Sequence, residues 1–314
     1  MSYVTDELDK IDDIKGQIYQ AISDKGVTIP ANTPFEDYPN KISSIPIEQP
    51  VIPKEVNGSY YGNPTQYFTF ELPENAIDLD DYVLYDAFID NNHLTSADLS
   101  SLINISGSNA MSGAFQKCTS LASIDLSNLQ TITGDLALSL AFGYCTSLTT
   151  VNLSKLTTVG YRGLGNTFLG CTNITSVDIS NLTSIGDSGL NSFVYGCTKL
   201  TSVNVSNITS IGSLGLTDFA SGCTSLRTIT FPKLTYLSNQ SLQNAFKNCN
   251  NLTIYFPSLT TSSFGSYTNQ FNAMLQNASN CVVHFPASIK STIQNWTSVK
   301  NNFGGTGISI LYDL

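Results

Sequence analysis

Apolar and polar positions along this chain follow a pattern that repeats itself. Counted from Cys171, apolar side chains fall at Ile174, Val177, Ile179, Leu182, Ile185, Leu190 and Val194 before the next cysteine, Cys197. The following stretch repeats those offsets with Leu200, Val203, Val205, Ile208, Ile211, Leu216 and Ala220 before Cys223. The cysteines at 118, 145, 171, 197, 223, 249 and 281 are spaced by 27, 26, 26, 26, 26 and 32 residues. One period earlier Asn91 takes the cysteine slot, with Leu94, Ala97, Leu99, Leu102, Ile105, Met111 and Phe115 in register. Self-similarity at a period of this length marks a solenoid, whose stacked units bury one continuous core.

The parts of each unit carry their own signals. Val177-Asp178-Ile179 and Val203-Asn204-Val205 alternate with the period of a strand that buries one face. Stacked, such strands form a parallel sheet. The later half of a unit, such as 187–194, has the spacing of a short helix packed back on that sheet. Gly160, Gly186 and Gly212 follow the last apolar position of their units, where a turn with positive φ is expected. At the end of the array, 281–286 predicts a last strand and Ser288 to about Lys300 a helix carrying the single tryptophan, Trp296. Gly304-Gly305 then breaks the pattern, and 308–311 predicts an edge strand. The expected fold is an α/β solenoid of about seven 26-residue units with a parallel sheet on one face, preceded by an N-terminal helix.

Before the array the pattern changes. Val4, Leu8, Ile11, Lys15, Ile18 and Ile22 recur at alternating spacings of four and three, a heptad seam containing one lysine. So short a helix is marginal alone, and its stripe calls for a partner. Two readings stand: a parallel trimer or dimer, or an amphipathic helix docked on its own or another subunit. Thr33-Pro34 marks a second helix start. Pro46, Pro50 and Pro53 suggest a stiff linker, and Tyr60-Tyr61 and 67–70 suggest a small hairpin covering the first repeat. The domain reading is an oligomerising helix (1–26), a linker with a short helix and small β cap (27–83), the repeats (84–280) and a C-terminal cap (281–314).

The Cys-x-x-Leu-x-x-Ile-x-Leu unit closing on Ala/Phe-x-x-Cys resembles the BspA-like leucine-rich repeats of bacterial surface proteins, over about 84–285. Those repeats usually run nearer 23 residues, with Pro opening the second half. Here Ser-Asn or Ser-Lys stands there in most units, as in Ser127-Asn128, and Phe231-Pro232 and Phe256-Pro257 return to the proline form. Residues 10–45 resemble a segment at the N-termini of tail-associated proteins from phages and prophages of gut bacteria. The resemblance rests on a helix, then Gly26-Val27-Thr28-Ile29-Pro30, then Thr33-Pro34-Phe35 with Tyr38, Lys41 and Ile42. It implies attachment to a virion and release by host lysis.

Composition narrows the function. The net charge of −10 and pI near 4.5 argue against a nucleic-acid partner. The acid is unevenly placed. Residues 1–90 hold 17 of the 24 acids and 5 of the 14 bases; the remaining 224 residues carry a charge near +2. Ser and Thr, roughly a quarter of the chain, take the place of charge in the array. No apolar run approaches the ~20 residues of a membrane helix. The first residues have no signal-peptide pattern, so export by that route is not expected.

Reactive groups point to little chemistry. Cysteines at 26-residue spacing match no zinc pattern and act as small buried hydrophobes. His93 and His284 stand near opposite ends of the array. Asp125 and Asp178 share a strand slot two units apart, roughly 10 Å by strand spacing, with Asn152 between them. Asp78, Asp80 and Asp81 lack a calcium-loop frame. Catalytic residues, metal sites and cofactors are therefore not expected.

The candidate binding surface is the outward ladder of the sheet: Ser123 and Asp125, Thr150 and Asn152, Ser176 and Asp178, Ser202 and Asn204, Thr228 and Thr230. Tyr161, Arg162, Tyr195, Asp218 and Phe219 on the opposite side, and the distal cap, are further candidates. The expected function is adhesion or receptor binding without catalysis, as a phage tail fibre or tail-tip component on the virion. Its repeats would contact a bacterial surface receptor or glycan, and its N-terminus other tail proteins, with neither nucleic acid nor membrane insertion. The alternative is a BspA-like bacterial surface or secreted adhesin binding host or bacterial partners.

Overall fold

The computed structural model describes residues 68–72, 74 and 76–314. The seam residues Val4, Leu8, Ile11, Ile18 and Ile22, with the N-terminal helix and linker, lie outside the described residues.

The described chain winds through a succession of strands and turns that repeats coil after coil. Strand β1 (Phe68–Glu71) opens the array. Each following coil contributes a longer and a two-residue strand: β2 (Leu94–Asp98) and β3 (Asn104–Ile105), β4 (Ser123–Asp125) and β5 (Thr131–Ile132), β6 (Thr150–Asn152) and β7 (Thr158–Val159). The series continues with β8 (Ser176–Asp178) and β9 (Ser184–Ile185), β10 (Ser202–Asn204) and β11 (Ser210–Ile211), β12 (Thr228–Thr230) and β13 (Tyr236–Leu237). It ends with β14 (Thr253–Tyr255), β15 (Val282–Phe285) and β16 (Ser309–Tyr312). The longer strands form three parallel sections, β1-β2-β4, β6-β8-β10 and β12-β14-β15-β16. The short strands form β3-β5-β7 and β9-β11-β13. The described residues thus make a solenoid of about nine turns rather than seven, because β1 and β16 add rungs beyond the recognisable repeats.

The register puts equivalent residues side by side. Val151 pairs with Val177 and Val177 with Val203, while Ile254 pairs with Ile229 and Val283. Their side chains are buried, as period-2 alternation requires. Below them run aromatic stacks. Phe88, Phe115, Phe142 and Phe168 lie nearly parallel at centroid spacings of 5.1, 5.3 and 5.6 Å. A second stack, Phe231, Phe256 and Phe285, follows at 5.3 and 5.5 Å. Each ring fully removed from water contributes on the order of 2–3 kcal/mol.

The later half of each unit is not the helix that its spacing predicts. In 188–197 alternate N–H groups cross to the next coil: Leu190 to Gly215, Ser192 to Thr217, Val194 to Phe219 and Gly196 to Ser221, at 2.8–3.0 Å. The intervening N–H groups close four-residue turns, Asn191 to Ser188, Phe193 to Leu190 and Tyr195 to Ser192. A helix would send each N–H four residues back along its own chain. The 3-4 spacing of buried Leu190, Phe193, Val194 and Cys197 is kept, but stacking supplies an acceptor one coil away, so the backbone runs as successive turns.

Gly160, Gly186 and Gly212 do not have positive φ. They are glycine because the coils approach closely there. A Cβ on Gly160 would lie 2.8 Å from the carbonyl oxygen of Thr133, and one on Gly212 2.9 Å from the backbone nitrogen of Asp187. Left-handed glycines instead end turn runs, as Gly170, Gly196 and Gly222 do at φ 70, 73 and 75°.

Polar side chains bind coil to coil. Threonine hydroxyls donate to the preceding coil's carbonyls, Thr201 to Thr175 at 3.0 Å and Thr209 to Thr183 at 3.0 Å. At the position after the slot where proline would stand, Asn128 donates to the Ser100 carbonyl and accepts from the Lys155 ammonium at 2.6 Å. Asn207 does the same with the Ser180 carbonyl and Lys233. The serine- and asparagine-rich composition is therefore largely mortar between coils.

Both ends differ from expectation in detail. Residues 68–71 form a strand, but it pairs in parallel with β2 as the first rung; its expected hairpin partner lies outside the described residues. The single helix from Ser288 to Lys300 is broken into α1 (Lys290–Ile293) and α2 (Thr297–Lys300), with 3-10 turns on either side. Trp296 sits between them in extended conformation, ψ 143°. That lets its indole pack edge-on against Phe264 at 4.9 Å, at the cost of helix continuity. Strand β16 pairs with β15 as the predicted edge strand.

Candidate functional site

The outward side of the longer strands carries the predicted ladder. Ser202, Ser176 and Thr150 align laterally, as do Asn204, Asp178 and Asn152. Ser123 and Asp125 align with Ser96 and Asp98, which the sequence reading did not include. Thr228 and Thr230 belong to the third section. The residues of β6, β8 and β10 come closest together: Ser176, Asp178, Ser202 and Asn204 line a shallow open groove with Val151, Val177 and Val203. Ser176 and Asp178, at its centre, are half-buried, while the rest of the ladder is exposed.

Four of these ten residues have a structural duty. Asp125 Oδ1 accepts the backbone N–H of Ser127 at 2.9 Å, Asn152 that of Ser154 at 3.0 Å, Asp178 that of Ser180 at 2.9 Å and Asn204 that of Ser206 at 3.3 Å. These are turns closed by an Asp or Asn side chain onto the chain two residues ahead. At Asp98 the Ser100 hydroxyl and N–H hold the carboxyl below the usual range. The slot selects for a side-chain oxygen rather than a charge, and Asp and Asn alternate freely in it. One carboxylate oxygen at each Asp remains to meet a ligand, and the neighbouring hydroxyls stand beside it.

Sequence reading ended this ladder at Thr230, but the same face continues. Thr230 aligns with Tyr255, Tyr255 with His284 and His284 with Leu311. The Tyr255 and His284 rings stack at 4.4 Å and 13°, and His284 Nδ1 lies 2.8 Å from Asp313 Oδ1. The Thr253-x-Tyr255 offset carries the signal that was passed over. The hydroxyl face thus ends in an aromatic and partly apolar patch.

The opposite, turn-rich side is mixed. Tyr161 and Tyr195 are exposed, and the Arg162 guanidinium lies 5.4 Å from the Tyr161 ring centre. Phe219, expected on that surface, is fully buried 6.1 Å from Phe193, because it fills the aromatic stack. Burial raises the carboxyl pKa of Asp218 beside it.

The cysteines offer no nucleophile. All seven are buried and free. Each thiol donates to a backbone carbonyl of the coil before, as Cys171 does to Phe142 at 2.9 Å and Cys197 to Phe168 at 3.2 Å. Burial pushes the thiols of Cys118, Cys171 and Cys249 up to about 12 and that of Cys145 higher still. They are hydrogen-bond donors as well as hydrophobes. In the first unit Asn91 Oδ1 accepts the N–H groups of His93 and Leu94 instead. The acids Asp78 and Asp81 each accept an N–H from the next coil, Ser106 at 2.8 Å and Ser108 at 2.6 Å. Among the described residues, no group of three His, Cys, Asp or Glu could hold a metal ion.

The family comparison matches most of the array. A model of the BspA type leucine rich repeat region, six copies long, matches residues 35–162, 87–214, 139–253 and 191–295. None of the curated proteins matches the chain. Among solved structures, the chain is similar to a leucine-rich repeat protein from Bacteroides ovatus, at 16% identity and a TM-score of 0.24, covering 77% of this chain and 92% of that one. It is also similar to the plant peptide hormone receptor RGFR1 in complex with RGF2, at 15% identity and a TM-score of 0.20. That match covers 78% of this chain and 42% of the receptor chain.

Proposed function

Because the chain belongs to the BspA type leucine-rich repeat family, we propose that it is a binding protein without catalytic activity, and that its array adheres to a bacterial surface receptor or glycan. The observation that carries this reading is the groove on β6, β8 and β10, where Ser176, Asp178, Ser202 and Asn204 stand in register on a repeating scaffold. Extended sheet faces are the surfaces that solenoids use for recognition. Side chains of this kind suit a polar, hydroxyl-rich partner better than a protein hot spot, which favours Trp, Tyr and Arg.

In its specific form the reading makes the protein a phage tail fibre or tail-tip component, with the acidic first ninety residues serving attachment and self-association. It rests on the Gly26-Val27-Thr28-Ile29-Pro30 and Thr33-Pro34-Phe35 resemblance. A BspA-like bacterial surface or secreted adhesin is the second reading, favoured by the family itself. The first predicts that the labelled full-length chain binds whole cells of some strains in a panel of gut bacteria and not others; the second extends the panel to host cells. Binding to nothing in either panel, with the fold intact by circular dichroism, would count against both. Electron microscopy of virions decorated with antibody to the chain separates the two.

A further inference from the structure

The groove on β6, β8 and β10 has two rims and a direction. Thr150, Ser176 and Ser202 form one column and Asn152, Asp178 and Asn204 the other, each aligned from strand to strand. The columns stand two residues apart along the strand, roughly 6.6 Å, and advance one strand spacing, about 4.8 Å, per rung. Val151, Val177 and Val203 turn their side chains into the core, so their main chain forms the floor between the rims. The groove therefore runs across the strands, along the axis of the array. It holds about 390 Å³, within the roughly 300–1,000 Å³ of small-molecule sites.

Bonds made within the fold decide what the rims offer. Asn152 and Asn204 commit Oδ1 to closing turns, which leaves their amide hydrogens as donors. Asp178 commits Oδ1 in the same way and is left with Oδ2, an acceptor. That rim runs donor, acceptor, donor over three rungs. On the other rim the hydroxyls of Thr150, Ser176 and Ser202 bond to no other described residue, and each can donate or accept.

A guest lying along this groove meets the same pair of rims once per rung. An extended peptide rises about 3.3 Å per residue and returns a side chain to one face about every 6.6 Å, so neither of its periods matches the rungs. A chain of pyranose rings joined through equatorial bonds advances by close to one rung per ring and carries hydroxyls along both edges. Asp178 bears the only charge in the lining, and no cation stands there to receive an anionic chain.

We propose that the groove binds a linear, neutral glycan chain running along the array, with one sugar ring on each of the three rungs. The inference rests on the adhesion reading and gives it a ligand class, a direction and a length. Asp178 Oδ2 accepts from a hydroxyl of the middle ring, while Asn152 and Asn204 donate to hydroxyls of the rings on either side. The hydroxyls of Thr150, Ser176 and Ser202 hold the opposite edge.

The test is titration of the full-length chain with oligosaccharides by calorimetry and ligand-observed NMR. The probes are the β-1,4-linked trisaccharides of glucose, mannose, xylose and N-acetylglucosamine, their mono- and disaccharides, and trigalacturonic acid as the charged comparison. At least one neutral trisaccharide is expected to bind, more tightly than its disaccharide and at least tenfold more tightly than its monosaccharide. Trigalacturonic acid is expected to bind more weakly than that trisaccharide. Asp178→Asn keeps the side-chain oxygen that closes the turn, as Asn152 and Asn204 do, but replaces the free acceptor by a donor. It should weaken trisaccharide binding at least fivefold with the urea midpoint unchanged. Ser176→Ala should weaken it as well, and serves as the second variant if Asp178→Asn folds poorly. Binding by no neutral trisaccharide, equal binding by trisaccharide and monosaccharide, a preference for trigalacturonic acid, or unchanged affinity in a folded variant overturns the proposal. If the chain still labels cells in that case, the glycan assignment fails and the adhesion reading stands; if it labels none, both fail.

Discussion

Asp178 Oδ1 accepts the backbone N–H of Ser180 at 2.9 Å, closing a turn in the middle of the face proposed for recognition. The same slot holds Asn152 and Asn204, which close the same turn. Asp178→Asn should therefore leave the melting temperature within about a degree. Asp178→Ala should cost about 1 kcal/mol, the net worth of one such hydrogen bond. Urea unfolding of the pair checks this; equal loss in both would show that the charge matters rather than the turn.

The buried thiols make stability depend on alkaline pH. Burial raises the folded thiol of Cys171 from an ordinary value of 9.0 to about 12. The folded chain thus holds its proton where the unfolded chain releases it, so the thiol's contribution is complete below pH ~9 and is lost as pH rises toward ~12. Urea midpoints should be flat from pH 7 to 8.5 and fall above 9. Iodoacetamide should leave the folded protein unmodified at pH 8 and label it in urea.

Gly160→Ala tests the close approach of the coils. The new Cβ would meet the Thr133 carbonyl oxygen at 2.8 Å, so backbone must move. Gly196→Ala meets nothing nearer than 3.8 Å, but its φ of 73° penalises any side chain. The second should cost about 1–2 kcal/mol, the first more, as measured by chemical denaturation.

Phe142 stands between Phe115 and Phe168 in the continuous stack. Phe142→Ala should cost about 3–5 kcal/mol through the cavity it leaves. Phe142→Leu should recover more than half of that.

The solenoid was legible because each buried position recurs. One three-residue strand says little, but Val151, Val177 and Val203 at one offset establish a ladder. The helix at 187–194 was misread because side-chain spacing does not reveal where N–H groups go. Leu190 and Val194 fit a helix face equally well when their peptides bond to Gly215 and Phe219 one coil away. The glycine slot was read for the wrong reason: Gly160 and Gly212 answer to contact between coils that no local pattern records. Alternation puts the ladder residues on one face of their strands, yet the bond from Asp178 to Ser180 and the reach to Tyr255 and His284 needed register.

The central claim is that a nearly uncharged array, and not the acidic N-terminal part, recognises a cell surface. Long-range steering and screening then have little to act on. The most direct measurement is retention of the labelled full-length chain on a binding strain from 50 to 500 mM NaCl. The account predicts saturable binding whose affinity changes by less than about twofold across that range. Loss of binding by tenfold or more with salt, or binding to no strain at any salt concentration, would contradict it.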